Sequence, residues 1–202
     1  VLSLSVLIDG RPDVDVALSA RLAEDLFGVV GETSELGSHQ DRNFRIRAER
    51  GSVVLKVANR SWGRTPLEAQ NAALRHIAAA DAGFGAPVPI DGVDGHDLYE
   101  VEVGGDRIPV RLLTFVEGHP LATHDHLAPE LVADLGRLAA RTSLALASFD
   151  HPGLDRTVQW DLQIAADVVA ALLGSVADRS RQALVADRTA AAAVAGRDPI
   201  GN

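Results

Sequence analysis

The 202-residue chain reads as an α+β protein: an antiparallel sheet with one embedded helix comes first, and helices alone come last. Three observations predict this. Between residues 32 and 57, short alternating or apolar runs are separated by polar turns, the pattern of consecutive antiparallel strands. Residues 96–115 repeat the pattern around Gly104-Gly105-Asp106, a strong hairpin signal. After Gly118 only helical spacing remains.

The elements follow in order. Leu18, Leu22 and Leu26 recur every four residues, which predicts an amphipathic helix over 16–27 that stops at Gly28. Strands are expected at 32–36, 43–47 and 52–57, with turns Gly37–Arg42 and Glu49–Gly51 between them. Thr65-Pro66-Leu67-Glu68 predicts a helix start, with Thr65 as cap, Pro66 at the first helical position and Glu68 closing a capping box. That helix is expected to end near Ala82, before Gly83. Strands at 96–103 and 107–115 complete the sheet. Helices are then expected at 127–149, where Leu131, Leu135, Leu138 and Leu146 share one side, at 158–173 and at 183–195. The junction near 116–121 divides the chain into residues 1–116 and 117–202.

Composition narrows the function. Nineteen Lys+Arg against 28 Asp+Glu give a net charge of −9, which argues against nucleic-acid binding, where phosphate contacts demand basic patches. The absence of cysteine excludes disulfides, thiolate metal sites and cysteine nucleophiles. No apolar run reaches the ~18–20 residues that a membrane helix needs. The expectation is a cytoplasmic protein acting on a small molecule, with no nucleic-acid or membrane partner. An exposed apolar face over 158–195 would be the trace of self-association.

One residue breaks its local pattern. Lys56 lies inside the apolar run Val53-Val54-Leu55-Lys56-Val57, and every other basic residue is arginine. It is either an edge-strand lysine facing water or a compact cation aimed at phosphate. A turn, a lysine on the third strand, a helix, a hairpin and then helices is the order of a protein-kinase-like nucleotide lobe.

The local sequences go further. The stretches Leu36-Gly37-Ser38-His39-Gln40-Asp41-Arg42-Asn43-Phe44-Arg45-Ile46, Val54-Leu55-Lys56-Val57-Ala58-Asn59 and Gln70-Asn71-Ala72-Ala73-Leu74-Arg75-His76-Ile77 resemble the aminoglycoside phosphotransferase family, small-molecule relatives of protein kinases. Val110-Arg111-Leu112-Leu113-Thr114-Phe115-Val116-Glu117-Gly118 and Trp160-Asp161-Leu162 extend the likeness, which is to the hydroxylysine- and homoserine-kinase-type branch. The resemblance implies a protein-kinase-like α+β fold and phosphoryl transfer from ATP, with Mg, to a small-molecule hydroxyl. It implies that the turn holding Gly37, Ser38, His39 and Asn43 covers the ATP phosphates, although a plain hairpin turn gives the same pattern. It further implies that Lys56 contacts phosphate and that Thr114, Phe115 and Val116 form the adenine-binding hinge.

The family pairs this lysine with a helical glutamate. Here Leu67, Gln70, Leu74 and Ile77 share one helical face, and Glu68 points away. The expectation is therefore a Lys56–Gln70 hydrogen bond. The family's catalytic loop, H-x-D-x-x-x-x-N, is matched by none of the seven histidines. The sequence thus predicts a truncated helical lobe and negligible turnover, with a non-catalytic nucleotide- or protein-binding module as the alternative. Two minor constellations remain open. His124-Asp125-His126 with His119 is a metal site or a solvated loop. Trp160 and Asp161 either pack and cap a helix or line a substrate cleft.

Overall fold

The computed structural model describes residues 10–80, 84–121, 126–156, 161 and 164–195. Residues 5–155 form one compact unit, and residues 156–202 belong to another. The division expected near residue 116 falls inside the first unit, just beyond its last strand.

Helix α1 spans Val16–Phe27, the boundaries the leucine spacing predicts. Asp15 Oδ1 accepts from Leu18 N at 2.7 Å and closes its first turn. Gly28 ends it at φ 66°, a conformation that costs glycine nothing. Three strands follow: β1 (Gly31–Leu36), β2 (Arg42–Ala48) and β3 (Gly51–Val57). After helix α2 (Arg64–Ala79) come β4 (Pro89–Ile90), β5 (Tyr99–Val103) and β6 (Asp106–Thr114). The sheet runs β1-β2-β3-β6-β4, with β5 also on β6, and every pairing is antiparallel. Gly104 and Gly105 take φ 62° and 88°, as a tight hairpin turn with two left-handed residues requires.

Strand alternation separates two faces. One carries Phe44, Ile46, Leu55, Val57, Val110 and Leu112, buried with Val14, Ala23 and Phe27; Leu18, Leu22 and Leu26 pack against that core. The other carries Asn43, Arg45, Val54, Lys56 and Arg111, set by the β2–β3 and β3–β6 registers. Helix α2 meets this second face. Leu67 and Ile77 are buried, and Gln70 and Leu74 are half-buried, as the predicted apolar stripe requires.

Two local expectations are corrected. Helix α2 begins at Arg64 behind an extended Gly63, with no side-chain cap, so Thr65 already lies within its first turn. Glu68 instead pairs with Arg64 Nε at 2.7 Å, one turn away on the exposed side. Strand β5 starts at Tyr99 rather than 96, because Gly92 N donates to His96 O at 2.7 Å and folds the preceding residues into a turn.

Helix α3 (Pro129–Ala145) is shorter than the expected 127–149. The chain tightens after it through Ala147 N→Leu144 O and Phe149 N→Leu146 O. None of its residues is buried, and Leu131, Leu135 and Leu138 are 40%, 46% and 41% exposed. A short 3₁₀ turn, Pro152–Leu154, then lodges against α2. A Cβ on Gly153 would collide with the Thr65 carbonyl oxygen and lie 2.8 Å from Ala69 Cβ. Gly153→Ala is therefore expected to cost about 1–3 kcal/mol by forcing this turn off the helix, measurable by chemical denaturation.

In the second unit, α4 (Ala165–Leu172) leads through a 3₁₀ turn, Leu173–Ser175, to α5 (Arg179–Ala195). Helix α5 starts four residues before the expected 183, because Asp178 Oδ1 accepts from Ser180 N and Arg181 N at 2.8 and 3.2 Å. Trp160 and part of the expected 158–173 helix lie outside the described residues. So do His124 and Asp125. Among the described residues no cluster of three His, Asp or Glu could hold a metal, and no helix is long and apolar enough to cross a membrane.

Candidate functional site

The second face of the sheet places Asn43, Lys56 and Arg111 side by side on three adjacent strands. Directly opposed residues in antiparallel strands project to the same side, so the row follows from register alone. Lys56 Nζ donates to Asn43 Oδ1 at 3.0 Å. Lys56 forms no ion pair with a carboxylate among the described residues. Burial and the neighbouring Arg111 charge lower its pKa from the ordinary 10.5, and Asp41 opposes that shift.

Arg111 is 4% exposed. Its Nη1 donates to Asn71 Oδ1 at 2.8 Å, and its Nη2 donates to Gln70 Oε1. Asn71, itself buried, passes the chain on through Nδ2 to Asp97 O at 3.1 Å. Arg111 Nε is buried without a partner among the described residues. Burial brings the guanidinium down to about 10, so it stays charged near neutral pH.

This network corrects the expected Lys56–Gln70 bond. The helix reaches the sheet one strand further on, and the fork of Arg111 takes both Gln70 and its neighbour Asn71. An arginine offers two parallel donors where a lysine offers a point charge, so it is the better match for two adjacent side-chain oxygens.

The turn between β1 and β2 holds Gly37, Ser38 and His39; Gly37 and His39 are exposed. Gly37 has no positive φ, and a Cβ there would touch nothing within 4 Å. Nothing in the fold itself requires glycine at that position. Asp41, at the end of the turn, accepts from Asn59 N at 3.0 Å and ties the turn to the chain just after β3.

At the other end, Thr114 is spoken for by Val88: its N donates to Val88 O, and its Oγ1 accepts from Val88 N, both at 2.9 Å. Phe115 N donates to Ser52 O at 3.1 Å. Val116, 49% exposed, is the first residue past these bonds. Thr114, opposite Val53, projects to the core face, while Lys56 and the Phe115 ring border the other face of the sheet. Arg45 shares that other face, with its guanidinium over the Phe115 ring.

Comparison with known proteins decides the family. Residues 32–200 match the phosphotransferase enzyme family, APH. This chain belongs to that family. Hydroxylysine kinases of Bos taurus and Mus musculus are each 30% identical to it over 157 residues, covering 71% of the chain and 42% of their own length. The chain therefore spans about two fifths of the curated relatives it matches. Among solved structures, an amicoumacin kinase in complex with AMP-PNP and Ca2+ superposes with a TM-score of 0.68 at 14% identity, over 93% of this chain and 55% of that one. A microcompartment-associated aminopropanol kinase gives 0.60 at 16% identity, over 76% and 48%. The α+β fold is that of kinase-like phosphotransferases.

Lys56 stands out in the sequence, but Arg111, Asn71, Asp41 and Arg45 were not singled out there as site residues. Arg111 carried the same signal as Lys56, a charge inside an apolar run, Ile108–Leu113. A testable consequence follows from the lowered pKa of Lys56. Between that lowered value and 10.5 the folded protein holds fewer protons than the unfolded chain, so this group's contribution to stability rises with pH there. Binding of an anion at Lys56 runs the opposite way and should weaken as pH rises toward 10.5. Lys56→Arg is expected to move that loss to higher pH, measurable by titration at several pH values.

Proposed function

We propose that this chain binds ATP on the Lys56 face of its sheet and serves phosphoryl transfer to the hydroxyl of a small amino compound. One observation carries the reading: Lys56 has a neutral hydrogen-bond partner and a cationic neighbour, where a structural lysine would have a carboxylate. That positive charge, offset only in part by Asp41, suits phosphate oxygens. In this reading residues 1–116 form the nucleotide lobe and 117–202 the helical part. Gly37 leaves the turn open for close approach of phosphate. Ser38, His39 and Asn43 border the phosphates, Gln70 supports the site through Arg111, and the Thr114, Phe115 and Val116 backbone meets adenine through groups other than the Thr114 and Phe115 N–H, which Val88 and Ser52 occupy.

The substrate class comes from the relatives. Hydroxylysine and aminopropanol each pair an amine with a hydroxyl, so an amino alcohol, a hydroxylated amino acid or an aminoglycoside-like compound is the proposed acceptor. A cytoplasmic setting, where ATP is available, goes with this reading. Magnesium fits less well. The described residues offer no cluster of three ligands for it, and the sequence lacks H-x-D-x-x-x-x-N, so no residue is assigned to the metal.

The 202 residues are accordingly proposed to bind ATP without turning it over. Thermal shift with ATP, beside a phosphate-release assay with magnesium, tests this. Stabilisation without release is the expected result. Measurable release contradicts the inactive reading, and no stabilisation favours a protein-binding module instead. Exposed Leu172, Leu184 and Val185, within the 158–195 segment, go with a proposed self-association, read from whether the sizing profile depends on concentration.

A further inference from the structure

A second cation shares the sheet face of Lys56. Arg45 stands directly opposite Val54, two residues from the Asn43–Lys56 pair. Its guanidinium carbon lies 3.9 Å from the centroid of the Phe115 ring. Nε and Nη2 donate to Ser52 Oγ at 3.1 and 2.8 Å, and Nη2 also donates to Glu117 Oε1 at 2.5 Å. The Arg45 side chain is 19% exposed, whereas that of Glu117 is 70% exposed.

We propose that Arg45 is the base-stacking plate of the cleft: its guanidinium, held over Phe115 by Ser52 and Glu117, packs against one face of the purine while Lys56 meets the phosphates. The proposal rests on the ATP reading above and assigns a part of the site that reading leaves open.

Three features favour the base over the phosphates. The first is position. Two residues along a strand span about 6.6 Å, so Arg45 is displaced from Lys56 toward residues 114–117. A nucleotide with its phosphates at Lys56 and its base at that segment passes Arg45 with its ring end.

The second is charge. Glu117 pairs with the Arg45 cation, so a neutral ring can stack there, while Lys56 forms no ion pair with a carboxylate among the described residues. The third is shape and order. A guanidinium is planar, weakly hydrated and stacks on π faces, and every base offers such a face. Because Ser52, Phe115 and Glu117 already fix the side chain, little rotamer freedom is lost on binding.

The test separates base from phosphate by trimming the ligand. Wild type, Arg45→Leu, Arg45→Lys and Lys56→Ala are titrated with adenosine, ADP and ATP by calorimetry. Arg45→Leu keeps an apolar stem on Phe115 without the planar cation; Arg45→Lys keeps the charge without the plane and serves if the leucine variant fails to fold. Both Arg45 variants are expected to lose about tenfold in affinity for all three ligands. Lys56→Ala is expected to keep adenosine affinity and lose ATP affinity.

Unchanged affinity in Arg45→Leu overturns the proposal and leaves Arg45 as a clasp between β2 and the segment after β6. A loss confined to ADP and ATP overturns it in favour of a phosphate contact. Wild-type affinity in Arg45→Lys overturns the stacking argument, because charge alone then suffices. If wild type binds none of the three, the ATP reading itself fails, an outcome distinct from any effect of Arg45.

Discussion

Arg111→Ala is expected to destabilise the protein by about 3 kcal/mol, the largest effect of any single substitution at the site. Three costs add. The Asn71 and Gln70 side-chain oxygens lose their donor, and Asn71 is buried where water cannot replace it. A cavity opens between β6 and α2. The link from α2 to the sheet, which continues through Asn71 to Asp97 O, is cut. For a chain of this size the loss corresponds to a fall in Tm on the order of 10 °C. Arg111→Met keeps most of the volume and should cost less than alanine. Adding Gln70→Leu and Asn71→Leu to it should recover part of the loss, since a buried polar network replaced whole by apolar groups is often tolerated. Chemical denaturation of the series checks this. A loss below about 0.5 kcal/mol for Arg111→Ala, the range of neutral surface changes, would show that α2 is not anchored there.

Lys56→Ala should do the reverse: little to stability, much to binding. Its ammonium is half-buried beside another cation, so removing it relieves repulsion as it removes the Asn43 hydrogen bond. Charge-assisted hydrogen bonds to phosphate contribute about 1.5–3 kcal/mol, so ATP affinity should fall between about tenfold and a hundredfold. The two substitutions thus separate anchoring from binding. In an arrangement where lysine itself holds the helix, a single substitution would damage both.

That separation also marks what the sequence could and could not convey. Several local signals carried through. Leucine spacing and Gly28 set both ends of α1, and Gly104-Gly105 set the hairpin, because each depends on residues a few positions apart. Lys56 stood out because a charge in an apolar strand is locally visible. Its partner was not readable in the same way. Whether Gln70 meets β3 or β6 depends on how a helix settles across a sheet whose neighbouring strands, residues 51–57 and 106–114, are far apart in the chain. The helix face was predicted well enough to choose Gln70 over Glu68, but the sheet residue it meets was not. The α2 start failed for a smaller reason. Thr65 and Glu68 satisfy a capping pattern, yet Gly63 already turns the chain into the helix, and Arg64 claims Glu68. Arg45 was missed because alternation in β2 presented it as an ordinary solvent-facing residue, whereas its contacts with Phe115 and Glu117 lie some 70 residues away in sequence.

Lys56 makes its hydrogen bond to neutral Asn43 and no ion pair with a carboxylate among the described residues, which leaves its ammonium available to hold phosphate. Calorimetric titration of ATP into the wild-type chain and into Lys56→Ala, with matched Tm values as the control, tests it most directly. Saturable wild-type binding is expected, weakened at least tenfold in the variant while Tm stays within about 2 °C. Equal ATP affinity in the two proteins, or a variant that loses binding only because it has unfolded, would contradict it.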